Sequence, residues 1–185
     1  MADRGTGATK CPRDRLLMVG GLFLLDRLGA TEAEMHYSHY QELQNYVGWT
    51  EEDAHRIRSL ALMLGSHLPS LVEDFYAEIE RHADARRVIT GGRQQIERLK
   101  GTLLLWLQEL LTGRYDAAYV ARRWRIGSRH VEIGLSQVYT NVALSRLRTG
   151  LIRVVQENWS GELGELRGTI RSLNKLLDLD LAIIQ

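Results

Sequence analysis

Cysteine is nearly missing from this sequence: Cys11 is the only one in 185 residues. A disulfide framework within the chain is therefore excluded, and so is a structural zinc site built on several thiolates. A reducing, cytoplasmic setting is the simplest expectation. Proline is almost as scarce, with only Pro12 and Pro69, so little interrupts helix formation. Sustained alternation of apolar and polar residues, the mark of a half-buried strand, is lacking too. Neither charge dominates, since 24 Lys and Arg against 23 Asp and Glu leave a net charge of +1. Nothing electrostatic recommends a nucleic-acid partner. No Ser-His-Asp arrangement, HExxH string, P-loop or glycine-rich dinucleotide fingerprint occurs, so the chain is not expected to carry an enzyme site of its own.

Long hydrophobic runs are also wanting. The nearest approach is Leu16–Leu25 (LLMVGGLFLL), which stands behind Lys10, Arg13 and Arg15 and imitates a secretory signal. Ten residues cannot span a bilayer, and Asp26 and Arg27 follow at once with no small-x-small cleavage site. Residues 1–34 are read as an extension, flexible or partly helical, with no membrane span. Starts at Met18 or Met35 would account for it equally well.

What is present is helix after helix. A short aromatic segment, His36 to Tyr46, opens the series. Thr50 then caps a helix whose first turn holds Glu51, Glu52 and Asp53, acids that suit a helix N-terminus. Ile57, Leu60, Ala61 and Leu64 give it an apolar stripe, and Gly65 ends it. The next helix begins at Ser66–Pro69, with Leu71, Val72, Phe75, Tyr76 and Ile79 on its buried face. Gly91-Gly92 interrupt the chain before a helix from about Gln94 to Leu111. Asp116 caps a helix through Trp124, and a glycine-bordered segment, Arg125–Leu135, follows it. Long helices over Ser136–Asn158 and from Gly161 to the end complete the chain.

These last two helices carry many apolar residues. Leu144, Leu147, Leu151, Val154 and Val155 lie on the first, and Ile170, Leu173, Leu176, Leu177, Leu179, Leu181, Ile183 and Ile184 on the second. Such a width suggests a second buried surface, a dimeric bundle formed by both helices. The sequence ends on Ala182-Ile183-Ile184-Gln185 without a cap, as expected of a domain cut from a longer protein.

Among the six histidines, His36, His39, His55, His67 and His82 sit in polar contexts or near helix ends and read as solvated. His130 differs, with Ile126, Val131, Ile133 and Leu135 around it. By pattern it is a core histidine or a metal ligand, since a neutral imidazole in an apolar wall is what iron needs. Tyr76 by itself reads as a core tyrosine, and Leu99 and Thr102 as ordinary helix packing.

The string Arg125-Ile126-Gly127-Ser128-Arg129-His130-Val131-Glu132-Ile133-Gly134-Leu135 resembles the proximal-histidine signature of globin-coupled sensors and protoglobins, R-I-x-x-x-H-x-x-I-G-L. The resemblance covers roughly residues 40–185. It implies an all-α globin fold with an extra N-terminal helix, a domain over residues 35–185, and haem b held noncovalently with His130 on the iron. No C-x-x-C-H attachment motif is present. Asp74-Phe75-Tyr76 resembles the family's distal pair, whose tyrosine donates a hydrogen bond to bound O2. Glu97–Thr102 resembles its distal helix, which implies that Leu99 and Thr102, with Leu103, roof the pocket. Trp124 and Ile133 are implied as proximal lining. Some family members place an aromatic pair just after I-G-L. Here Ser136-Gln137-Val138-Tyr139 is shorter by one residue and lacks the tryptophan, leaving open whether Tyr139 bonds His130.

The resemblance therefore implies a haem-based sensor of O2, with CO and NO as further ligands, that forms a homodimer and signals to a C-terminal transmitter (a kinase, cyclase or chemotaxis output). Two other readings remain: a stand-alone protoglobin-like haem protein that stores gas or does redox chemistry, and a cofactor-free helical dimerisation module in which His130 is merely core.

Overall fold

The computed structural model describes residues 31–185, and among these there are helices and connecting turns but no strand. The basic and apolar stretch up to Leu25 lies outside the described residues. Helix α1 is described over residues 31–46, so helix begins at least four residues inside the segment assigned to the extension. It is followed by α2 (Glu51–Gly65), α3 (Leu68–Arg81), α4 (Ala83–Arg86), α5 (Gly92–Leu110), α6 (Ala117–Glu132), α7 (Gln137–Asn158) and α8 (Leu163–Ile184).

The caps expected at Thr50 and Asp116 are in place. The Thr50 hydroxyl accepts from the Asp53 amide at 3.3 Å while the Asp53 carboxylate accepts from the Thr50 amide at 2.9 Å. This reciprocal pair satisfies two amides of the first turn. Pro69 falls in the first turn of α3, where a missing N–H does no harm. The single turn α4 was not foreseen, because four residues are too few to show a helical period.

One boundary is corrected. Helix α6 does not stop at Trp124 but runs through Glu132, so His130 is helical. Gly127 lies inside the helix because α8 passes against it: a Cβ there would come within 2.6 Å of the Ile184 carbonyl oxygen. The true stop is Gly134, whose φ of +68° is a left-handed conformation that other residues resist.

The second correction concerns the apolar width of α7 and α8. Helix α8 is the central element, packed against α2, α6 and α7 at once, while α3 packs on both α5 and α7. Leu144, Leu147, Leu151, Val154 and Val155 of α7 and Leu173, Leu176 and Leu177 of α8 are all buried within this single chain. A helix surrounded on three sides needs a wide apolar surface for its own core, so these residues are not spare for a partner.

Candidate functional site

Residue His130 sits in the last turn of α6, half-buried. Its Nδ1 is buried without a hydrogen-bond partner. Burial holds the imidazole below the ordinary histidine range, which favours the neutral ring that a metal ligand must be. A buried polar atom left unpaired is uncommon enough to need an explanation.

A second candidate group is on α3. Tyr76 is buried, and its hydroxyl makes no hydrogen bond to any described residue. Burial pushes its pKa up to about 12, so the hydroxyl keeps its proton at neutral pH and remains a donor. Phe75 meets Tyr76 edge to face, with ring centroids 5.3 Å apart and planes at 84°. From α5, Leu99 and Leu103 pack against the same core cluster. Thus α3 and α5 together present an apolar wall containing one free phenol.

The walls carrying His130 and Tyr76 belong to different packing pairs. Helix α5 packs on α3 and α6 packs on α8, whereas α5 and α6 are not themselves a closely packed pair. The bonds that join them are at one end, from Arg122 and Arg123 to Glu109.

Other residues implicated by the sequence lie elsewhere. Thr102 is exposed, and its hydroxyl donates to the Arg98 carbonyl one turn back at 3.1 Å. Ile133 caps α6 and is largely exposed. Tyr139 directs its hydroxyl to Asp84, whose charge together with partial burial raises its pKa; no bond to His130 is present. Trp124 is 42% exposed and stacks on His36 of α1 at 3.8 Å between centroids. Six residues separate it from His130, which places the two about 120° apart around α6. His36 is accordingly not simply solvated. It and Trp124 border a cavity of about 640 Å³ lined also by Tyr40, Val120 and Ile183.

Sequence reasoning missed a buried polar cluster beneath the site. Arg123 of α6, Asp180 of α8 and Tyr119 of α6 are all inaccessible to solvent and bonded to one another. The available signal was an arginine seven residues before His130, on the same helical stripe.

Comparison with known proteins places this arrangement. The model of the family described as Protoglobin matches residues 36–185. The chain belongs to the protoglobin family. It is therefore a globin of a haem-binding family, and the fold expected from the proximal-histidine string is the fold observed. Its relatives include the heme-based aerotactic transducer HemAT of Halobacterium salinarum, 27% identical over 147 residues, which are 80% of this chain and 29% of that protein. The chain thus spans under a third of that relative's length. The globin domain of the Geobacter sulfurreducens globin-coupled sensor superposes with a TM-score of 0.73 at 28% identity, covering 78% of this chain and 93% of that one. The ferric globin domain of E. coli DosC gives 0.61 at 17% identity over 80% and 97% of the two chains, a likeness of fold.

The residues present fit a haem. A half-buried imidazole whose Nδ1 has no partner, held below the ordinary histidine range by burial, suits the proximal position. A buried tyrosine whose hydroxyl bonds to no described residue suits the ligand side.

Proposed function

We propose that the chain is the oxygen-sensing domain of a signalling protein, binding haem b noncovalently through His130 and passing ligand state to a C-terminal transmitter. The observation that carries this reading is the buried His130 Nδ1 without a hydrogen-bond partner, in a globin of this family, with a buried Tyr76 whose hydroxyl bonds to no described residue. When bound, the haem supplies an iron centre that takes a diatomic gas reversibly. His130 would hold that iron through Nε2, which would leave Nδ1 as a donor. Tyr76 offers its O–H to the gas, and Phe75, Leu99 and Leu103 keep water out. Thr102, Trp124, Ile133 and Tyr139 are given no contact with the gas in this reading, since Thr102 bonds its own helix, Trp124 stacks on His36 and Tyr139 is directed to Asp84. O2 is the favoured ligand because it becomes polarised and accepts a hydrogen bond better than CO does. CO and NO are further ligands of the same centre.

No helix among the described residues is long and apolar enough to cross a membrane. A cytoplasmic sensor is the reading that the scarcity of cysteine supports. Its partner is a second copy of itself. The surface for that partner is a charge-free stripe along α7, Val138, Val142, Ser145, Thr149, Ile152 and Gln156, spaced by three and four residues. Val138 and Val142 are 65% and 58% exposed. An uncharged stripe of this length favours like-against-like packing in a bundle. No chemical transformation is assigned to the domain.

The test is the absorption spectrum of the purified protein and of His130→Ala. The wild type should show a Soret band that responds to O2 and CO, and the variant should lose haem or hold it weakly. A His130→Ala protein with an unchanged spectrum would falsify the ligand assignment.

A further inference from the structure

We propose that Arg123 and Asp180 are a positioning pair that fixes where His130 stands and ties it to the C-terminal helix α8; the proposal rests on His130 being the iron ligand. Arg123 is 1% exposed and Asp180 is 0% exposed. The guanidinium spends its whole fork on other helices. Nε donates to the Asp180 carboxylate of α8 at 2.9 Å, one terminal nitrogen to Glu109 of α5 at 2.6 Å, and the other to the Trp106 carbonyl of α5 at 3.1 Å. Its plane lies over the Tyr119 ring, 4.0 Å from the centroid. The Tyr119 hydroxyl donates to the other oxygen of Asp180. Three helices therefore meet on one side chain, and two of them, α5 and α6, carry the opposite walls of the site.

Stability does not account for such a cluster. A buried ion pair loses its hydration, and apolar residues of similar volume commonly serve the fold as well or better. Burial lifts the Asp180 carboxyl above its ordinary range, against the pull of Arg123 and Tyr119. What a planar, forked cation offers over an apolar contact is a fixed direction and register. Arg123 and His130 lie two turns apart on one stripe of α6, about 10 Å along its axis. Between them Gly127 lets the α8 backbone press against the helix at Ile184. Helix α6 is thus pinned to α8 at two points on the His130 side, and cannot roll or slide without breaking the cluster. The same pins carry any displacement of His130 into α8.

The test uses the haem-loaded protein with CO as the probe. Two variants are compared with wild type: Asp180→Asn, which keeps an acceptor for Tyr119 but no charge, and the double variant Arg123→Met with Asp180→Asn. Glu109 remains paired with Arg122 in both. Resonance Raman of the ferrous protein reads the iron–histidine stretch, and amide exchange over residues 176–184 is measured with and without CO. The expected result is unchanged helicity and retained haem, with a shifted iron–histidine band and loss of the CO-dependent exchange difference. A folded variant with band and exchange both as in wild type would overturn the proposal and leave the pair as a structural contact. So would a wild type whose exchange over 176–184 ignores CO. Absence of any iron–histidine band in the wild type would instead overturn the ligand assignment, and the proposal with it.

Discussion

At the scale of the residue, the sensor reading reduces to two side chains that lack partners. Most buried polar atoms are satisfied by neighbours, as Arg123, Asp180 and Ser172 are here, whereas the buried His130 Nδ1 is not. In the proposed reading the Tyr76 hydroxyl, which bonds to no described residue, stands on the ligand side. Tyr76→Phe removes one donor and almost no volume, so the fold should persist. A hydrogen bond to a polarised acceptor contributes about 1.5–3 kcal/mol. Its loss should make O2 leave roughly tenfold to a hundredfold faster, with a much smaller change for CO. Stopped-flow dissociation of both gases decides the matter. Equal acceleration of the two would mean that Tyr76 acts as a steric wall, and no acceleration would remove it from the site. Because Thr102 is exposed and bonded to its own helix, Thr102→Val is expected to change the O2 off-rate far less than Tyr76→Phe does.

At the scale of the element, the N-terminus of α2 is where local and long-range structure meet. Asp53 completes the capping box with Thr50, and it also accepts from Ser172 at 2.6 Å and Lys175 at 2.9 Å, both on α8. Burial works to raise its pKa, yet the bonds from Ser172, Lys175 and Thr50 win and hold it below the usual carboxylate value. A depressed folded-state pKa means stability that is present above the unfolded value, about 3.9, and is lost as pH falls through the folded one. Asp53→Asn should therefore be less stable than wild type at pH 7, and the gap should close below about pH 4. Urea unfolding of both proteins across that range measures it. A gap that stays constant with pH would show that the cap geometry, rather than the charge, carries the effect.

The whole molecule decides the question of assembly. Leu151 and Leu173, which an apolar count alone would assign to a partner, are fully enclosed by the chain itself. A charge at either is expected to unfold the domain rather than to yield a haem-binding monomer. The uncharged stripe on α7 behaves differently, since Val142 and Thr149 face outward. Val142→Glu with Thr149→Glu should give a monomer with an unaltered Soret band, against a wild-type dimer at micromolar concentration. Analytical ultracentrifugation distinguishes the outcomes. A monomeric wild type would remove the bundle, while a dimer that survives both charges would move the interface to another face.

Much was legible in the sequence because it is written in local spacing. Helical periodicity, the Thr50 and Asp116 caps and the scarcity of proline required only neighbours within a turn or two to act. The R-I-x-x-x-H-x-x-I-G-L string likewise made His130 stand out, since the residues that carry the family resemblance are contiguous along the chain. Contacts between distant segments could not be read in that way. Gly127 looked like a helix breaker until the backbone of Ile184 was found against it. The apolar width of α8 implied a partner until three helices of the same chain covered it. Arg123 could not be singled out by spacing, because its partner Asp180 lies 57 residues away. The sequence by itself determined which segments are helices and which histidine is the ligand candidate, because both depend on residues close along the chain. Only the tertiary structure decided which faces are buried and which charges are paired, because those depend on what the fold brings alongside.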